Sequence, residues 1–206
     1  MATASTAIKI GPADNGRRMT LAEFLDAEEV PGYRYELARG IIEVSEVPND
    51  PHGLIVDTFH THFAVYRLAN PGLILRIAHA SDVQIVIPGL RTDRHPDLAI
   101  IFRGKTPDDR GRCMPDLVVE VVSSGKQARD RDNVAKRKDY LAFGILEYWI
   151  VDPLDRRVTV LSRADAGSQW SEQVFGDEDA IVSPLLPGFA VVVSDLLMDA
   201  ADEGGE

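Results

Sequence analysis

The stretch that decides the fold is RHPDLAIIF (Arg94–Phe102), followed after a polar loop by MPDLVVEVVSS (Met114–Ser124) and DNVAKRKDYLAFGILEYWIVDP (Asp132–Pro153). The first two segments read as neighbouring strands, and each carries a carboxylate, Asp97 or Glu120, among apolar residues. An ionised carboxylate on a near-continuously apolar strand is costly unless a metal, a cation or a hydrogen-bond donor satisfies it. Asp97 and Glu120 therefore need partners. From about Asp130 to Phe143 the spacing is helical, with Gly144 as the C-cap, and the apolar run Leu146–Val151 is a further strand ended by Asp152-Pro153.

If the first two strands form an antiparallel hairpin with Asp97 opposite Glu120, the turn centres between Asp108 and Asp109. That point falls inside Thr106-Pro107-Asp108-Asp109-Arg110-Gly111, where the turn chemistry sits. Opposed residues lie roughly 5 Å apart, and a slip of one position would send the two carboxylates to opposite faces.

Working outward, Thr20 and Glu23 form a capping box that opens a short helix to about Glu29, ended by Pro31-Gly32. Tyr33–Leu37 and Ile41–Val47 make a hairpin around Ala38-Arg39-Gly40, which places Glu36 on its first strand. From His52 to about Leu68 the apolar residues Ile55, Val56, Phe59, Phe63 and Leu68 recur at helical spacing, as in an amphipathic helix packed on a sheet. Leu73–Ala78 and Val83–Ile87 are strands. Beyond the central stretch, Arg157–Leu161, Trp170–Phe175 and Phe189–Val193 form a C-terminal β meander. The expected organisation is a disordered leader over 1–18, one domain over 19–196 and an acidic tail over 197–206.

A chain of 206 residues with 45% hydrophobic and 27% charged residues suits one soluble globular domain. No apolar run approaches the roughly 18 residues that span a bilayer, and no signal-peptide pattern opens the chain, so the expectation is a cytoplasmic protein with no membrane partner. The lone Cys113 can form neither an internal disulfide nor a Cys-rich zinc site. A net charge of −11 weighs against binding a phosphate backbone. Locally the balance differs: Lys126, Arg129, Arg131, Lys136, Arg137 and Lys138 are opposed within their own stretch only by Asp130 and Asp132. Such a cluster is either a solvated helix face or a nucleic-acid contact.

An ordered set of motifs, Tyr35-Glu36-Leu37 with Gly40, His52 opening a helix, His95-Pro96-Asp97, Leu117 to Ser123, Asp132 with Lys136 and Tyr140, and Glu147 to Pro153, resembles the Uma-type restriction endonuclease family of the PD-(D/E)XK nuclease superfamily. The resemblance covers about residues 20 to 193. It implies an α/β (α+β) mixed sheet with a restriction-endonuclease-like core, a helix on each side of the sheet and the C-terminal meander. It also implies Mg²⁺, with Mn²⁺ as an alternative, held by Asp97, Glu120 and the backbone carbonyl of Val121. Glu36 would be a further acid near the metal. The implied activity is metal-dependent hydrolysis of phosphodiester bonds in DNA, with a homodimer as the family-level assembly.

The superfamily places a lysine two residues after the second acid, whereas this chain has Val122. The resemblance transfers that role to the helix, where Asp132, Lys136 and Tyr140 lie four apart along one face. Lys138 is the fallback, because it points about 200° away from Lys136 and both cannot face inward. His52, Asp132 and Tyr140 are supporting candidates. Asp116, on the same strand face as Glu120 but about 13 Å away, reads as a strand-start carboxylate. His60 and His62 are two apart on a helix and diverge, and His79 and His95 read as structural. The competing functions are a catalytically inactive nucleic-acid- or protein-binding module on the same fold and a hydrolase of another phosphate ester.

Overall fold

A computed structural model describes residues 8–80, 82–123 and 129–202, with side chains as far as residue 197. In chain order its elements begin with β1 (Lys9–Ile10), α1 (Leu21–Leu25), β2 (Glu28–Glu29), β3 (Tyr33–Ala38), β4 (Ile41–Glu46) and α2 (Asp50–Ala69). There follow β5 (Ile74–His79), β6 (Ile85–Ile87), β7 (Thr92–Arg94), β8 (Leu98–Phe102) and β9 (Leu117–Val121). A π-helical segment, Arg131–Lys136, runs directly into α3 (Arg137–Phe143). The chain continues with β10 (Glu147–Asp152), β11 (Arg157–Ser162), β12 (Ser171–Phe175), β13 (Ala180–Ser183), β14 (Leu186–Val192) and α4 (Val193–Asp202). Among the described residues no helix is long and apolar enough to cross a membrane.

The chain divides into two compact units, Met1–Val47 with Gln84–His95, and Pro48–Val83 with Pro96–Glu206. In the first, β3 and β4 pair antiparallel about Arg39 and Gly40, both with positive φ, as a two-residue hairpin turn demands. A Cβ on Gly40 would stand 3.4 Å from the Met19 carbonyl oxygen, a second reason for glycine there. Thr20 caps α1, its hydroxyl oxygen accepting from the Glu23 N–H at 3.2 Å while the Glu23 carboxylate accepts from the Thr20 N–H at 2.9 Å. This helix stops at Leu25, short of the expected Glu29, because Glu28 and Glu29 pair in parallel with Lys9 and Ile10. Residues 9 to 18, expected in the leader, thus include β1, and Ile10 joins Phe24, Tyr35, Leu37 and Ile42 in a core cluster.

In the second unit six of the described strands form one sheet in the order β12-β11-β10-β9-β8-β5. β8 and β9 are antiparallel, with Leu98 opposite Val119, Ala99 opposite Val118 and Ile100 opposite Leu117. This is the register that setting Asp97 against Glu120 requires. β9 and β10 are parallel, and such a pair needs a long crossover, here the segment that carries the π turn and α3.

Alternation then sorts the side chains. Leu117, Val119, Val121, Trp149 and Val151 share a core with Ile55, Phe59 and Phe63 of α2 and Leu196 of α4. Glu120 and Tyr148 fall on the opposite side, where Tyr140 of α3 meets them. A helix therefore lies on each face. β11 and β12 continue the meander, but the strand expected around Phe189 pairs with β13 as a separate hairpin.

Candidate functional site

Asp97 lies one residue before β8 and is 4% exposed. Its Oδ2 accepts a hydrogen bond from the Val121 N–H at 2.9 Å, so the side chain takes the place of a strand partner at the end of the ladder. From α2, His52 Nε2 stands 3.2 Å from the same oxygen. The approach lacks hydrogen-bond alignment, and the buried Nε2 has no hydrogen-bond partner. His52 is held at the start of its helix by the Asn49 side chain, which accepts the His52 N–H at 3.3 Å.

Glu120, the residue before Val121 on β9, is 3% exposed, and its Oε1 receives two donors. Lys136 Nζ lies 2.8 Å away and the Tyr140 hydroxyl donates at 2.6 Å. Lys136 Nζ is also 3.6 Å from Asp132 Oδ1, whose other cationic neighbour is Arg131 Nε at 3.2 Å. The Tyr148 hydroxyl donates to the Asp132 carbonyl at 2.9 Å, tying the π turn to β10. A π turn widens the helix locally and is frequent at functional sites. Here it contains both Asp132 and Lys136. Lys138, the fallback lysine, is exposed. The Asp97 and Glu120 clusters meet through the consecutive residues Glu120 and Val121. Val122, where the superfamily pattern has lysine, is buried and donates its N–H to the Val151 carbonyl at 2.8 Å.

Glu36 belongs to the first unit. Its Oε2 accepts from Arg94 at 3.0 Å and its Oε1 from the His95 N–H at 2.8 Å, and Arg94 also pairs with Glu43. The fully buried Arg94 is the residue that the sequence did not single out. Its only signal was a position at a strand end beside the His-Pro-Asp motif. Asp116 has the structural role expected of it: Oδ2 accepts the Phe102 N–H at 2.9 Å and Oδ1 pairs with Lys105 at 2.6 Å.

Asp97 and Glu120 are buried carboxylates, oxygen donors of the kind a hard divalent cation takes. Among the described residues no three His, Cys, Asp or Glu side chains form a ready-made metal cage. An ion at Asp97 would then be completed by backbone oxygen and water, which suits Mg²⁺ and Mn²⁺, commonly bound through one or two carboxylates with waters retained. The basic cluster is less open than its sequence suggests. Arg129 pairs with Asp152 at 3.1 Å and Asp155 at 3.2 Å, and Arg137 with Glu172 at 2.8 Å. Lys126 lies outside the described residues.

The mixed sheet, its parallel β9–β10 step and the helices on its two faces define a restriction-endonuclease-like fold. A solved structure described as "a putative nuclease belonging to DUF820" from Anabaena variabilis matches with a TM-score of 0.68 over 88% of this chain and 99% of that one, at 18% identity. The chain belongs to the Uma2 family, described as "Putative restriction endonuclease", whose family model matches residues 21–196. Comparison with curated proteins returns no match.

Proposed function

We propose that this protein is a metal-dependent endonuclease that hydrolyses phosphodiester bonds in DNA. The observation that carries this is the buried ammonium of Lys136, 2.8 Å from Glu120 on the strand that also provides Val121 to Asp97. In this reading Asp97, Glu120 and the Val121 carbonyl hold Mg²⁺ or Mn²⁺. The ion, when bound, lowers the pKa of a water and neutralises charge on the phosphate. Lys136 orients the attacking water through its N–H groups and compensates negative charge. Tyr140 and Asp132 set the position of Lys136 and Glu120, the first by its 2.6 Å hydrogen bond and the second by its carboxylate 3.6 Å from Nζ. Cutting both strands calls for two such sites, hence a homodimer.

Supercoiled plasmid incubated with Mg²⁺ provides the test. Asp97→Asn and Glu120→Gln, each checked by circular dichroism for an intact fold, should lose at least about a hundredfold in nicking rate. Cleavage by both variants at the wild-type rate would overturn the proposal. The second reading, a binding module without chemistry, is favoured by Val122, which puts a buried apolar side chain where the superfamily pattern has its lysine. It predicts DNA retention in a gel-shift assay with no heat of Mg²⁺ binding and no cleavage.

A further inference from the structure

The buried imidazole of His52 is left without a role by that reading. Its Nε2 lies 3.2 Å from Asp97 Oδ2 and has no hydrogen-bond partner, which is expensive for a ring nitrogen in a buried site. The 3.2 Å contact does not meet hydrogen-bond geometry, so a simple His52–Asp97 hydrogen bond does not account for it. Two donor atoms about 3 Å apart and not bonded to one another are the arrangement of adjacent ligands in an octahedral shell, where metal–ligand distances of about 2.1 Å put neighbours about 3.0 Å apart. The ring nitrogen is also fixed in place, because His52 is anchored by the Asn49 cap on the first turn of α2.

We propose that His52 Nε2 is a ligand of the same ion as Asp97, which makes the site a mixed nitrogen–oxygen one. The inference rests on the metal reading of Asp97 under the proposed function. Imidazole nitrogen favours transition ions over Mg²⁺, so the chain should prefer Mn²⁺ to Mg²⁺. His52 would thus determine metal selectivity.

The experiment loads the full chain with Mn²⁺ alone and records pulsed electron paramagnetic resonance, with calorimetric titrations of Mn²⁺ and Mg²⁺ alongside. Wild type should show nitrogen modulation from a directly bound imidazole, changed as expected by ¹⁵N-histidine labelling and absent in Asp97→Asn. His52→Ala should lose the modulation and at least about tenfold in Mn²⁺ affinity, with a smaller change for Mg²⁺. If His52→Ala does not fold, the labelled wild type still decides. Mn²⁺ bound in an Asp97-dependent manner without imidazole modulation would overturn the His52 assignment and leave the metal reading standing. No Mn²⁺ binding by wild type would overturn both.

Discussion

Lys136 is 4% exposed, and a buried ammonium is tolerated only where its charge is matched, here by Glu120 at 2.8 Å and Asp132 at 3.6 Å. Replacing one partner of such a pair leaves the other buried and uncompensated. Lys136→Met should therefore destabilise the metal-free protein by about 3–5 kcal/mol in urea unfolding. The double variant Glu120→Gln/Lys136→Met should recover a large part of that loss, and an additive double variant would contradict the coupling. Tyr140→Phe removes one hydrogen bond to a charged acceptor and should cost about 1.5–3 kcal/mol by the same measurement. At this scale the acids were legible because a carboxylate in an apolar strand is conspicuous. The spacing of Asp132, Lys136 and Tyr140 was visible too. Spacing put Lys136 ahead of Lys138; what it could not supply was the π turn and the burial of one lysine and exposure of the other, which depend on tertiary packing. Arg94 and the misaligned His52 contact are likewise properties of packing alone.

Among the elements, β10 carries a second kind of information. Glu147 is wholly buried, and its carboxylate accepts from Ser183 Oγ at 2.8 Å, the Leu185 N–H at 2.9 Å and Trp149 Nε1 at 2.9 Å. It thereby holds the β13–β14 hairpin to the sheet. Burial pushes the carboxyl above its ordinary value of 4.5, against the lowering effect of those donors. The folded state then binds the proton more readily than the unfolded chain, so this group's contribution is greatest at low pH and is lost as pH rises above about 4.5 through the raised folded-state value. Glu147→Gln turns an amide N–H₂ toward donors and should cost about 1–3 kcal/mol. Because glutamine does not titrate, the melting-temperature gap between wild type and this variant should narrow as pH increases from about 4.5. A constant or widening gap would contradict the assignment. Local patterns predicted the β3–β4 hairpin, α2, the β8–β9 register and the Gly144 cap, since each is written in contiguous residues. They overextended α1, because the partner of Glu28 and Glu29 lies far back in the chain at Lys9 and Ile10. They also missed α4, although Val193, Leu196 and Leu197 have helical spacing and pack in the core, because the acidic composition that follows reads as tail.

For the whole molecule, the proposed activity requires a chain of net charge −11 to engage a polyanion. The described cations of the basic cluster are largely paired with acids, so few counterions are there to be released on DNA binding. The dependence of DNA affinity on salt should be shallow, measured by fluorescence anisotropy in Ca²⁺ to suppress cleavage. A logarithmic slope of about −5 to −9, as for a protein neutralising 6–10 phosphates, would contradict this. Divalent cations would then supply much of the charge that the protein does not. The most direct test of the metal at the acid pair is a crystal soaked in Mn²⁺ and measured for anomalous scattering. The account predicts a peak about 2.2 Å from carboxylate oxygens of Asp97 and Glu120. At saturating Mn²⁺, no peak there, or a peak only at other acids, would contradict it.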